Sequence, residues 1–386
     1  MKVVIAVGPR MWSDKLAAEC QRLGVLDRLI TSHPKFLLDK RVATERVEWI
    51  AWHFLAHRIW TALRLSAIGE ERLKRMFDDL IARKLRYSSP DVFVGWSGYS
   101  LNSLRVAREQ KIIGVIERGS THTRVHMDLL LEEQRRWRMS FNTAFWNRVL
   151  EREALEFDAA SAIFVPSQFV LDSFLSQGFP REKLFKIPYG VDVNRFRPGA
   201  ARLNRNVFRV VCVGIVTLRK GQQYLAEAVL QLRRRNPVRK IELWLVGPVQ
   251  ADAAPFLRKY SDVITFVGRK SPAEIHTLLQ QSDVMVLASV EEGLARAILE
   301  AMAVGLPVIV TPNTGGDDVI IDGTNGIIVP IRDSLAITDR LQELLDSPDL
   351  RESMGIQART TVVEGFTWAH YGARTVEAYK ALVAAV

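Results

Sequence analysis

Cysteine is scarce: the 386 residues hold two, Cys20 and Cys212. Two thiols make neither a disulfide framework nor a zinc cluster, and such usage suits a reducing cytoplasm. Long hydrophobic runs are missing as well. A membrane-crossing helix needs about 20 consecutive apolar residues, and no stretch approaches that. The opening MKVVIAVGPR joins a basic residue to an apolar run too short for a signal peptide, and predicts a first strand. No zinc-finger, basic-zipper or RNA-binding aromatic pattern occurs, so nucleic acid is not an expected partner. Negative charge is in deficit too, with a net charge of +10. Residues 1–199 hold 32 Lys+Arg against 23 Asp+Glu, while the rest is nearly balanced at 21 against 20. An excess of that sign suits a phosphorylated ligand or an anionic membrane surface.

What is present is hydrophobic substance, 48% of the chain, enough for two cores. The most informative stretch is DVMVLASVEEGLARAILEAMAVGLPVIVT, residues 283–311. Its apolar run 284–288 predicts a buried parallel strand. After a turn at 289–293, apolar residues recur at Leu294, Ala297, Ile298, Ala301 and Met302, which is helical spacing. Gly305 and Pro307 end the helix, and 308–310 predicts the next strand. The turn therefore sits at a strand's carboxyl end and a helix's amino end, where ligands of open α/β sheets bind and where free N–H groups meet anions. Glu292 and Glu300 bracket the helix. Alone, Glu292 reads equally as a first-turn charge worth about 0.3–1 kcal/mol.

Glu292 and Glu300, with seven residues between them, precede Ala301-Met302-Ala303-x-Gly305-x-Pro307-Val308. This resembles the acidic signature of the retaining glycosyltransferases of family 4 (glycosyl transferases group 1). The resemblance implies the GT-B fold: an α/β chain of two Rossmann-like domains facing each other across a cleft. It implies that Glu292 meets the donor sugar, that Glu300 holds the ribose hydroxyls, and that Gly293, Leu294 and Ala295 contribute backbone at the helix start.

Taken in order, residues 3–7 predict a strand and 13–23 a helix capped by Ser13 or Asp14. Relatives commonly carry a Gly-Gly pair in the loop between, facing the donor phosphate; here only Gly8 stands, followed by Pro9, Arg10 and Met11. Residues 41–86 read as helical, with Trp49, Trp52, Phe54, Leu55, Ile59, Trp60 and Leu63 interleaved with Arg46, His53, His57, Arg58 and Arg64. That pattern fits an aromatic-rich helix buried on the first sheet, or an interfacial surface for lipid headgroups or a lipid-linked acceptor. Strands at 91–94 and 112–116 follow, the second leading into Glu117-Arg118-Gly119-Ser120-Thr121-His122. Family members carry a functional His in this loop, which implies a catalytic role for His122 on the acceptor side beside Arg118, with His126 a weaker candidate. Residues 129–157 read as one charged helical segment. Ile187-Pro188-Tyr189-Gly190-Val191-Asp192 resembles the end of the family's first domain, and 198–206 reads as the linker.

The second half opens with a strand at 208–213 and the turn Gly214-Ile215-Val216-Thr217-Leu218-Arg219-Lys220-Gly221. Two cations in a Gly-bounded turn suit a pyrophosphate, the Lys as a point charge and the Arg as a planar fork. The spacing resembles the family's phosphate loop, with Ile215 where many members have Arg and Arg219 as the substitute cation. Strands at 243–247 and 264–268 end at Gly247 and Gly268; the turn after the second lies beside the base in the family, which implies contact at Arg269. The final helix, about 367–386, crosses back to the first domain in GT-B proteins. The expected division is residues 1–198, completed by that helix, for the acceptor, and 206–366 for the nucleotide sugar. The resemblance runs from about 164 to 384, and the first 110 residues match in pattern only.

The expected activity is metal-independent hexosyl transfer, with retention, from a UDP- or GDP-sugar to a glycan or lipid-linked acceptor in cell-envelope polysaccharide or lipopolysaccharide synthesis. Glu292, His122, Lys220 and Arg219 form the catalytic set, and no cofactor or metal is expected. The expected location is cytoplasmic, peripheral at the inner face of the membrane. A nucleotide-sugar epimerase of the same fold, and a non-catalytic membrane-associated binding protein, are the alternatives. Conversion of the donor without an acceptor distinguishes the epimerase.

Overall fold

The computed structural model describes residues 1–8, 11–62, 67–199 and 206–385. Pro9 and Arg10 of the first loop, Leu63 and Arg64 of the aromatic stretch, and positions 200–205 of the expected linker lie outside these residues.

Two all-parallel sheets carry the fold. The first comprises β1 (Val3–Val7), β2 (Leu26–Thr31), β3 (Val47–Trp49), β4 (Val92–Trp96), β5 (Ile113–Glu117), β6 (Ala162–Val165) and β7 (Leu184–Lys186), in the order β3-β2-β1-β4-β5-β6-β7. The second comprises β8 (Val207–Val213), β9 (Lys240–Val246), β10 (Ile264–Gly268), β11 (Val284–Leu287), β12 (Val308–Val310) and β13 (Ile327–Ile328), in the order β10-β9-β8-β11-β12-β13. Helices follow the strands: α1 (Ser13–Arg22), α2 (Ala51–Ala62), α3 (Ala67–Leu85), α4 (Leu101–Glu109), α5 (Thr123–Arg136), α6 (Thr143–Ala159) and α7 (Gln168–Leu175) around the first sheet. Around the second lie α8 (Gln222–Arg235), α9 (Ala254–Lys259), α10 (Pro272–Gln280), α11 (Arg296–Ala303), α12 (Ser334–Asp346) and α13 (Pro348–Gly365), and α14 (Trp368–Ala384) ends the chain.

Strands covered on both faces must be apolar throughout. Every residue of β1 (VVIAV) and β11 (VMVL) is accordingly buried. Strand order reverses between β1 and β4, and again between β8 and β11. The crevice beyond those carboxyl ends is where an open α/β sheet takes its ligand.

Three expectations give way here. The stretch 41–86 is not helical throughout: Val47–Trp49 pairs with β2 as an edge strand, Leu29 opposite Val47 and Thr31 opposite Trp49. Residues 129–157 divide into α5 and α6, the break lying just past Trp137 where Arg138 takes a φ of 53°. The cap of α1 is Trp12, whose side chain makes no capping bond, rather than Ser13 or Asp14. Strands β2, β7 and β13 add to those expected.

The last helix lies against the first sheet. Tyr371 donates to Glu117 (3.1 Å) and accepts from Trp12 Nε1 (3.1 Å), while Tyr379 stacks on Phe164 at 5.4 Å. A Cβ on Gly372 would meet Glu19 of α1 at 2.3 Å, so the two helices pack closely.

Candidate active site

The loop after β8 is braced before it presents any charge. Asp252 accepts from Thr217 Oγ1 (2.6 Å) and from the Leu218 amide (3.2 Å), and the Gln222 side chain accepts from the Thr217 amide (3.1 Å). The turn Leu218–Lys220 closes at Gly221, whose φ is +67°. A Cβ there would lie 1.7 Å from the Ala288 carbonyl oxygen, so only glycine lets the turn rest on the end of β11. The two loops are then joined directly, the Val290 amide donating to the Arg219 carbonyl at 2.9 Å.

The acidic loop is fixed from its other side by the segment after β12. The Glu292 amide donates to Asn313 O (2.8 Å), and Asn313 Nδ2 donates to Val290 O (2.7 Å). Two cations converge on one carboxylate oxygen in this frame: Arg219 Nη1 stands 2.7 Å from Glu292 Oε1, and Lys220 Nζ pairs with the same atom. Lys220 is buried and Arg219 and Glu292 are half-buried.

The residue before the signature is held more tightly still. Glu291 is fully buried, and its Oε1 accepts from the Thr121 amide (3.0 Å) and Thr121 Oγ1 (2.8 Å). Its Oε2 lies 3.0 Å from His126 Nδ1 and 3.1 Å from Arg219 Nη1. Burial pushes the carboxyl upward, but His126 and Arg219 beside it and the Thr121 amide prevail and hold it well below the usual carboxylate range. Nothing in the sequence reading marked Glu291 or Thr121; the adjacency of two acids in the turn was the available signal.

The sequence-predicted histidine is elsewhere. His122 caps α5, its Nδ1 accepting from the Arg124 amide at 3.2 Å, and its ring lies among Phe174 (5.2 Å), Phe179 (5.4 Å) and Phe157 (6.1 Å). Burial and then Arg118 push it down to about 4, so it is neutral. The expectation of a catalytic His122 is corrected: aromatic packing takes the ring into the first domain. One turn on, His126 occupies the cleft between Glu291 and the Trp146 ring, 4.9 Å away.

Arg118 is corrected likewise. Its guanidinium pairs with buried Glu153 and donates to Ser97 Oγ (2.9 Å), Ser120 O (3.1 Å), Thr121 O (2.6 Å) and Thr123 Oγ1 (3.0 Å), which commits it to shaping its own loop.

Glu300 sits on α11, half-buried, and its carboxylate has no hydrogen-bond partner among the described residues. Burial pushes it up to about 7, against the pull of Arg296 and Arg195. Gly214 follows β8, its amide donating to Val246 O (2.9 Å), and Gly247 follows β9, donating to Gly268 O (2.9 Å). Gly293 lies where the domains touch: a Cβ on it would stand 2.0 Å from Gly119 O, and one on Gly315 would stand 2.1 Å from Gly293 O. Leu294 is buried in the core, and the Ala295 amide is bonded to Thr314 O at 3.2 Å, so it is not an open donor for an anion. Gly8 ends β1 beside His53 and Tyr99 in the first domain, and Arg269 is exposed beyond β10, two strands from β8; neither joins the Arg219–Lys220–Glu292 cluster.

Residues 207–347 match the family described as Glycosyl transferases group 1. Over 318 residues the chain is 27% identical to a Salmonella typhimurium protein named for colanic acid biosynthesis as glycosyltransferase WcaL, covering 80% of this chain and 74% of that one. It is 31% identical over 244 residues to the GDP-mannose-dependent alpha-(1-6)-phosphatidylinositol monomannoside mannosyltransferase of Mycolicibacterium smegmatis, covering 57% of this chain and 62% of that one. The crystal structure of Anabaena HepE in complex with UDP superposes with a TM-score of 0.70 at 16% identity, over 99% of this chain and 100% of that one. Residues 207–347, the second domain, match the glycosyl transferases group 1 family in sequence, and the chain along its length has the GT-B fold of solved glycosyltransferases.

Proposed function

We propose that the chain is a retaining, metal-independent hexosyltransferase that moves a sugar from a UDP- or GDP-sugar to a glycan or lipid-linked acceptor of the cell envelope. The observation that carries this is the convergence of Arg219 and Lys220 on Glu292 at the strand reversal of the second sheet. Two fixed cations there match the charge that grows on a departing diphosphate, and in a water-poor cleft such charges act strongly. Glu292, released from them when the donor enters, meets the sugar; Glu300 accepts from the ribose hydroxyls. The acceptor enters along the first domain, and closure excludes the water that would hydrolyse the donor. UDP in HepE and the GDP-mannose dependence of the mycobacterial relative support a nucleoside diphosphate donor.

A membrane-bound acceptor is part of the same proposal. On α2, Trp52 is 43% exposed, Leu55 57% and Ile59 58%, at the spacing i, i+3, i+7 that sets them on one side. The helix contains Arg58 and no acidic residue, within the half of the chain that carries the excess charge. Such a face suits the headgroup boundary of an anionic bilayer. Among the described residues no helix is long and apolar enough to cross one.

The test is a thermal-shift screen of nucleotide sugars, followed by transfer of labelled sugar to envelope extracts. A ligand at a hundred times its dissociation constant adds about 2.7 kcal/mol of stability. No shift with any nucleoside diphosphate sugar would refute the donor class, and donor conversion without acceptor would favour an epimerase.

A further inference from the structure

We propose that Glu291 is a positioning residue: it aligns Arg219 for the diphosphate, and does so only when the two domains meet. This rests on the donor site just described. A buried carboxylate is costly unless paired and hydrogen-bonded, and Glu291 is both. Its partners come from two places, Thr121 and His126 from the first domain and Arg219 from the second. Were the domains apart, Glu291 would keep Arg219 and lose the Thr121 bonds and His126. The site is therefore complete only on closure.

The other half of the argument lies in the guanidinium. Arg219 makes its contacts through Nη1 alone, to Glu291 O (2.8 Å), Glu291 Oε2 (3.1 Å) and Glu292 Oε1 (2.7 Å). No hydrogen bond uses Nε or Nη2 among the described residues, so that edge of the planar fork can take two phosphate oxygens while Nη1 anchors it. Glu291 thus does for Arg219 what a fixed counter-ion does for any preorganised cation: it sets the plane before the charge develops. The family's acidic signature begins one residue later and contains no such role.

The experiment separates affinity from turnover. Turnover is read as nucleoside diphosphate released from UDP-glucose or GDP-mannose, whichever the protein consumes, and affinity by calorimetry with UDP and GDP. Glu291→Gln keeps shape and the Thr121 bonds but cannot pair with Arg219 and His126. Its turnover should fall about tenfold or more, while nucleotide affinity stays within about threefold, because nucleotide binds the second domain before closure. His126→Gln should lower turnover less and add nothing on the Glu291→Gln background, since both remove one coupled contact. Unchanged turnover in Glu291→Gln, a fall matched by the loss of folded protein, or strict additivity of the two substitutions would overturn the proposal. Thr121→Val, which leaves every charge in place, covers the case in which Glu291→Gln does not fold: it too should lower turnover at constant affinity, and normal turnover would count against the role. Lys220→Ala tells the two readings apart. If it binds nucleotide normally, donor site and positioning role fall together; if it binds weakly while Glu291→Gln turns over fully, only the positioning role falls.

Discussion

Arg219 Nη1 stands 2.7 Å from Glu292 Oε1, and Lys220 reaches the same oxygen, so a carboxylate already holds the lysine that the diphosphate needs. An incoming donor must displace it. Charge-assisted contacts of this kind are worth roughly 1.5–3 kcal/mol. Glu292→Gln should therefore tighten UDP or GDP binding, by about three- to tenfold after the Gln amide has kept part of the contact, while turnover falls because the sugar loses its carboxylate. Calorimetry beside a turnover assay checks this, and weaker nucleotide binding would contradict it.

Lys220→Ala should act in the opposite sense on affinity. It removes a charge that meets the phosphates in ground and transition states alike, so binding weakens and turnover drops by roughly ten- to a hundredfold for a loss of about 1.4–2.8 kcal/mol. Circular dichroism should show the fold intact.

His122→Ala is expected to be a stability variant. The cap of α5 and the packing on Phe174, Phe179 and Phe157 are lost, at a cost of about 1–3 kcal/mol, visible as a lower melting temperature. Turnover per folded molecule should stay within about threefold of the parent. A hundredfold drop with an unchanged melting temperature would restore the histidine to the chemistry.

Glu300 predicts a pH dependence. Its carboxyl is pushed by burial from 4.5 to about 7, so it is largely protonated on the acid side of neutrality and ionised above. Ribose hydroxyls donate best to the ionised form, and nucleotide affinity should rise as pH goes from about 6 to about 8. The stability effect has the reverse sign: keeping the charged form buried costs stability as pH rises from 4.5 to about 7, after which the cost levels off. Glu300→Gln should flatten both curves and lower nucleotide affinity at pH 8. A profile unchanged by the substitution would assign the titration to another group.

The exposed face of α2 is tested with vesicles rich in phosphatidylserine. Each of Trp52, Leu55 and Ile59 contributes roughly 1.5–3 kcal/mol when fully buried, so changing all three to Ser should reduce vesicle binding by well over tenfold. Binding by the parent should weaken as salt rises. Equal, poor binding to neutral and anionic vesicles would remove the membrane from the proposal.

What the sequence disclosed follows from how local each signal is. The unit β11-α11-β12 was legible because its apolar runs are bounded by Gly305 and Pro307 and its period changes sharply at the turn. The cationic turn was legible because Gly214 and Gly221 bracket it. The choice between His122 and His126 was not: they lie four residues apart at the start of one helix, and a cluster of phenylalanines from α6, α7 and the loop after it decides which one leaves the cleft. Arg118 misled for a similar reason, since its partner Glu153 is 35 residues away. Val47–Trp49 reads as helix in an aromatic run, and only pairing with β2 makes it a strand.

Backbone meets backbone where Gly119, Gly293 and Gly315 converge, and this has a mechanical consequence. Side chains at a contact yield by turning about their bonds; main chain of neighbouring elements does not. The approach of the domains thus ends at a rigid buffer, and the gap left for the substrates has a set width whatever acceptor occupies it. Loops of the first domain could be exchanged to admit a different acceptor without recalibrating that width. A methyl group at position 293 would act as a wedge, holding the jaws apart by a fixed increment.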